Sequence, residues 1–264
     1  IHAVLEELKS VLATSGTAVL AAPPGAGKTT VVPLALLDQP WLSGAKILVL
    51  EPRRLAARAA ADRMAQTLGE TAGQTVGYRT RLQSRIGPST RIEVITEGVF
   101  TRMILDDPGL DGIGAVLFDE FHERSLDADL GLALARDSQS VLREDLRLLV
   151  MSATLDIVGV ARLLDGAPVI EAQGRMFPVE TRYAGRNPLE RLEEAMARAV
   201  MQALGDEPGS VLAFLPGQGE IHRTVQALKA RLRDPTVDVV PLYGALDKAE
   251  QDRALDPSPP GRRK

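Results

Sequence analysis

Two stretches of this chain carry residues of a type and spacing suited to phosphate chemistry. In Gly114-Ala115-Val116-Leu117-Phe118-Asp119-Glu120-Phe121-His122, a short apolar run ends in two adjacent carboxylates and a histidine. A strand of this kind lifts Asp119 and Glu120 to the edge of a sheet, where one can hold a metal and the other can face a water. Upstream, Ala22-Pro23-Pro24-Gly25-Ala26-Gly27-Lys28-Thr29 reads as a phosphate-binding loop, with Ala22 where the usual pattern begins with Gly. Gly25, Ala26 and Gly27 let backbone N–H groups converge on phosphate oxygens. Lys28 brings charge to the β- and γ-phosphates, and the Thr29 hydroxyl ligates Mg²⁺. Together the stretches read as a nucleotide-hydrolysing site. Asp119 is assigned to the metal, through water, and Glu120 to the attacking water. The nucleotide-binding set is Gly25, Ala26, Gly27, Lys28, Thr29 and Thr30.

His122 taken alone reads more often as a structural or surface histidine. Ser152-Ala153-Thr154 follows the next apolar strand. In a parallel sheet that end of a neighbouring strand lies on the ligand side. Hydroxyls of Ser152 and Thr154 can there hydrogen-bond His122 and link hydrolysis to movement between domains.

The elements that must position these residues alternate. Strands are expected over 17–22, 46–51, 74–78, 91–96, 115–118 and 146–152. Helices are expected over 28–37, from the Ala/Arg-rich stretch to Leu68, and over 97–105 and 128–142. Continuous apolar strands alternating with helices signal an α/β fold with a parallel sheet covered on both faces. The rhythm breaks near Gln173-Gly174-Arg175-Met176-Phe177-Pro178. An exposed strand is expected over 179–183, then helices over 188–204, 220–232 and 249–255, with strands over 210–215 and 237–242. The boundary is placed near residue 172, giving domains 1–172 and 173–264, the second with an incomplete sheet and a loop-like tail from Pro257.

Composition narrows the function classes. The 264 residues are 45% hydrophobic and 25% charged, long enough for two domains. No apolar run reaches the roughly 18 residues that span a bilayer, and the first residues lack the marks of a signal peptide. Cysteine is absent, which excludes disulfides and Cys-based zinc sites and is compatible with the cytoplasm. Net charge is −4 and the pI about 5.5, so any nucleic-acid binding must come from local clusters. Two such clusters are Arg53, Arg54 and Arg58, and Arg79, Arg81 and Arg85. Aromatics make up 3%, which favours gripping a backbone over stacking on bases.

Five segments occur in a recognisable order: Gly25-Ala26-Gly27-Lys28-Thr29, Pro52-Arg53-Arg54-Leu55-Ala56-Ala57, Thr96-Glu97-Gly98, Asp119-Glu120-Phe121-His122-Glu123-Arg124 and Ser152-Ala153-Thr154. With this set the chain resembles the superfamily-2 DEAH/RHA helicases, and the Phe within Asp-Glu-Phe-His resembles their bacterial HrpB-type branch. The resemblance covers nearly the whole chain. It implies a P-loop NTPase of two tandem RecA-like domains that couples ATP hydrolysis to translocation along single-stranded nucleic acid, RNA foremost, as a monomer. It implies backbone contacts by Arg53, Arg54, Thr96 and Gly98, with Arg79 added to that track and Gly217 contributed by the second domain. Such contacts position without reading sequence.

The chain departs from the family pattern at three places. Phe121 replaces a small residue. Leu255 stands where many relatives carry a phenylalanine that stacks on the base, leaving Arg63 as candidate partner on the other face. The family's later arginine-rich motif lies beyond Lys264, so this stretch is expected to hydrolyse ATP weakly by itself. Two other readings are a nucleotide- and RNA-binding module with little turnover, and a P-loop ATPase that remodels protein.

Overall fold

The computed structural model describes residues 1–153, 157–173, 178–185 and 187–264. The chain divides into two compact units, residues 1–177 and 178–264.

The first unit runs α1 (Leu5–Ser15), β1 (Thr17–Ala21), α2 (Lys28–Leu36), β2 (Lys46–Glu51), α3 (Arg54–Thr67), β3 (Val76–Arg79), β4 (Ser84–Arg85), β5 (Ile92–Thr96), α4 (Glu97–Asp106), β6 (Ile113–Phe118), α5 (Leu126–Val141), β7 (Arg147–Ser152), α6 (Ile157–Leu163) and β8 (Val169–Glu171). Its eight strands form one sheet in the order β4-β3-β5-β2-β6-β7-β1-β8. Every pairing is parallel except the β3–β4 hairpin. The hairpin needs Gly77, because a Cβ there would lie 2.5 Å from the Arg85 carbonyl oxygen.

Side chains of each central strand alternate between two cores. Leu20, Ile47, Val49, Leu117 and Leu149 meet Leu8, Leu12, Val32, Leu36, Ala61 and Met64 from α1, α2 and α3. Val19, Leu48, Leu50, Val116, Phe118, Leu148 and Val150 meet Phe100, Ile104, Leu132, Ala135 and Val160 from α4, α5 and α6. Covering both faces is what requires the strands to be continuously apolar. Burying each such large side chain contributes about 1.5–3 kcal/mol.

The second unit contains α7 (Leu192–Asp206), α8 (Gln218–Arg231) and α9 (Lys248–Leu255). Helices α7 and α8 pack around Ala197, Val200 and Leu228, with Arg223 bonded to Glu193 at 2.9 Å. The strands expected over 179–183, 210–215 and 237–242 do not form as ladders. Instead Val211 donates to Lys264 O at 2.8 Å, Asp238 donates to Arg263 O at 2.8 Å, and Val237 bridges Arg263 in parallel. A strand exists only through its neighbour's hydrogen bonds, and the backbones of the latter two segments bond to Arg263 and Lys264. The apolar pattern had suggested strands without supplying partners. Among the described residues, no helix is long and apolar enough to cross a membrane.

Candidate functional site

The carboxyl ends of β1, β7 and β6 lie side by side, since β7 pairs with both others. The loop after β1 therefore opens next to the end of β6. Ala22 N–H donates to Ser152 O at 3.0 Å, fastening the loop's first residue to β7. Gly25 and Gly27 adopt φ of 75° and 91°, the left-handed region where a Cβ is costly. They turn the chain into α2, whose N-terminal amides suit an anion.

Lys28 is buried, and its Nζ donates to Ala22 O at 2.9 Å and Pro23 O at 3.4 Å. It also lies 3.9 Å from Glu120 Oε1. The Thr29 hydroxyl donates to Asp119 Oδ2, and Asp119 Oδ1 accepts from Glu120 N–H at 2.8 Å. Asp119 N–H donates to Leu50 O at 3.0 Å, so β2 holds the acid at the sheet edge. Burial pushes the Asp119 carboxyl up, and the Thr29 hydroxyl opposes that shift.

A third acid joins them. Glu51 ends β2, is 5% exposed, and has its carboxyl pushed up to about 8 by burial and then by Asp119, Glu120 and Glu123. No role had been expected for it, although Lys46-Ile47-Leu48-Val49-Leu50-Glu51 repeats the signature of an apolar run ending in an acid. Among the described residues no group of three or more His, Cys, Asp or Glu forms a metal cage. Thr29 and Asp119, joined by their hydrogen bond, are the adjacent oxygen groups that could hold a metal.

His122 Nδ1 accepts from Ala153 N–H at 3.3 Å and lies 3.3 Å from Glu120 Oε2. A neutral Nδ1 lone pair serves the amide, whereas a protonated Nδ1 would serve the carboxylate, so the two contacts compete. The expected link to the Ser152–Thr154 segment thus runs through the Ala153 amide. Ser152 is buried at the end of β7, and Thr154 lies outside the described residues.

The same segment reaches the expected nucleic-acid residues. Glu123 Oε1 accepts from Arg53 Nη2 at 2.8 Å, and the Ser125 hydroxyl donates to Glu97 Oε2 while accepting from Ala128 N–H to cap α5. Burial raises the Glu97 carboxyl. Arg53 and Arg54 are exposed at the start of α3, with Thr96 and exposed Gly98 at the start of α4. Since β2 pairs with β5, these two starts share one edge. Thr30 lies in the first turn of α2, Arg63 is exposed on α3, and Gly217 caps α8 in the second unit.

The Arg79 backbone ends β3 opposite Ile95, but its side chain turns away from that edge. Its Nη2 donates to buried Glu93 at 2.7 Å, and Lys46 Nζ meets the same acid at 2.7 Å. Register explains this: Gly77 sits opposite Glu93, and Arg79 lies two residues further on the same face. The three line a cavity of about 330 Å³ with Ile113, where β2 and β6 begin. Arg81 and Arg85 of the same cluster are exposed on the hairpin.

The model of the DEAD/DEAH box helicase family matches residues 3–163. ATP-dependent RNA helicase HrpB of Escherichia coli (strain K12) is 52% identical over the whole chain, which spans 32% of its length. Pre-mRNA-splicing factor ATP-dependent RNA helicase prp22 of Schizosaccharomyces pombe is 34% identical across 91% of this chain and 21% of its own. The crystal structure of Escherichia coli DEAH/RHA helicase HrpB superimposes with a TM-score of 0.91 at 52% identity, over 99% of this chain and 33% of that one. The chain therefore spans about a third or less of the length of these relatives. With its phosphate loop, its acid pair and this match to more than half its length, the chain belongs to the DEAD/DEAH box helicase family.

Proposed function

We propose that residues 1–264 form the nucleotide-binding, backbone-gripping portion of an ATP-dependent RNA helicase. The observation that carries this is the single segment Asp119–Ser125. It bonds the phosphate loop at Thr29, the Ala153 amide, Arg53 of one expected nucleic-acid element and Glu97 of the other. Residues 173–264 are read as part of a second RecA-like domain, with Gly217 on the nucleic-acid track.

In this reading Lys28 exchanges the Ala22 and Pro23 carbonyls for phosphate oxygens. Mg²⁺, held by Thr29 and Asp119, would neutralise charge on the β- and γ-phosphates when bound. Glu120 orients the attacking water and takes up its proton. Arg53, Arg54, Thr96 and Gly98 hold the sugar–phosphate backbone, and exposed Arg81 and Arg85 replace Arg79 as cations for that path. Single-stranded RNA is the proposed partner, the protein acting as a cytoplasmic monomer.

The test is ATP turnover by the full-length protein with single-stranded RNA. Glu120→Gln should lower the RNA-stimulated rate about a hundredfold or more. An unchanged rate, or stimulation by protein and not by RNA, would overturn the assignment.

A further inference from the structure

Glu120 adopts φ 48° and ψ 33°, a left-handed conformation that side-chain-bearing residues rarely take. Such a conformation persists only where its surroundings over-determine it. The turn has a clear consequence: Asp119 faces the phosphate loop, while Phe118 before it and Phe121 after it both enter the core beneath α4 and α5. Phe121 is 2% exposed. Its ring meets Phe118 edge to face at 6.3 Å and 87°, and Phe118 meets Phe100 at 5.7 Å and 88°. The Arg124 guanidinium lies 5.5 Å from the Phe121 ring centroid. Phe100 in turn packs against α5, where a Cβ on Gly131 would come within 3.1 Å of its ring.

We propose that Phe121 is a positioning residue for Glu120. Seated in the core, the ring fixes the residue before it in the left-handed turn and so aims the Glu120 carboxylate at the phosphate side, 3.9 Å from Lys28 Nζ. Through Phe118 and Phe100 the same packing ties that aim to α4, which starts at Thr96–Gly98. In this chain, replacing the ring by a small side chain would empty the space it fills between Phe118 and Arg124. The inference rests on the helicase reading and deepens it. It concerns the geometry of the water-orienting acid, not ATP affinity.

The experiment uses the full-length protein and RNA-stimulated ATP turnover, with heat unfolding measured in parallel. Phe121→Ala should lower kcat about tenfold or more while leaving KM for ATP within about twofold. Phe121→Leu, which keeps most of the volume, should recover most of kcat and serves if the alanine variant does not fold. The decisive comparison is non-additivity: in a Glu120→Gln background either substitution should lower the residual rate no further, because its effect runs through Glu120. Multiplying effects, or an unchanged kcat in both single variants, would overturn the proposal. Absence of turnover in the unmodified protein would instead overturn the helicase reading itself.

Discussion

The two units of this chain contain similar apolar runs and treat them differently. In residues 1–177 the central runs have a neighbour on both sides and helices on both faces, so side chains such as Leu48, Phe118 and Val150 are buried. In residues 178–264 the backbones of the runs 210–215 and 237–242 bond to Arg263 and Lys264, and Leu212 and Phe214 stay 73% and 81% exposed. The difference is one of pairing, not composition. Apolar residues make a core only when hydrogen-bonded neighbours hold them in a layer. Among the described residues the buried acids Glu51, Glu93 and Asp119 follow the same division, all lying in the first unit.

Core truncation should show the largest contrast. Phe118→Ala removes the middle ring of the Phe100–Phe118–Phe121 chain and should destabilise the first unit by about 3–5 kcal/mol. Leu228→Ala, in the looser α7–α8 cluster, should cost about 2 kcal/mol. Urea unfolding of both variants measures the gap, and equal costs would remove the distinction between the units.

Next in size is the pH dependence of the buried edge. The Glu51 carboxyl is raised from 4.5 to about 8 in the folded chain. Between those values the folded state keeps a proton that the unfolded state has lost, so stability falls as pH rises through that window. Glu51→Gln abolishes this slope. The variant should exceed the parent at pH 8 by on the order of a few kcal/mol and match it near pH 4.5. In the second unit Asp238 is shifted the other way, lowered by its hydrogen bond to Arg262 at a half-buried position. Its contribution is therefore present above the usual carboxylate range and lost toward acid. If Glu51→Gln leaves the pH profile unchanged, the charged edge of the first unit is not distinctive.

The smallest effect belongs to α9, whose capping box joins Asp247 and Glu250. Asp247→Ala should cost about 1 kcal/mol, read as faster amide exchange over residues 248–255 with the first unit unaffected.

Much of the first unit was readable from local pattern. The strands 17–21, 46–51, 92–96 and 147–152 fall within a residue or so of their apolar runs, because buried parallel strands must be continuously apolar. Strands β4 and β8 were not foreseen. One is two residues long and the other three, and each exists through its neighbour rather than through its own sequence. In the site, the phosphate loop and the acid pair were visible because Gly spacing and adjacent carboxylates are local features. Glu51 was overlooked because a single acid after an apolar run is ordinary until a second one ends the adjacent strand.

The sequence by itself determined which groups can do the chemistry: two glycines free to take positive φ, a lysine and a threonine after them, and two acids closing an apolar strand. These depend on residue type and short spacing, which folding does not alter. Tertiary structure decided which charges are available and where they point. Parallel register gave Arg79 to Glu93 and left Arg53 to meet Glu123. Strand order set β7 between the loop and the acids. Packing turned Phe121, a bulky substitution of unknown consequence in the sequence, into a buried ring behind Glu120. Pairing, burial and aim are all relations between residues far apart in the chain, and the close-packed fold is what brings those residues together.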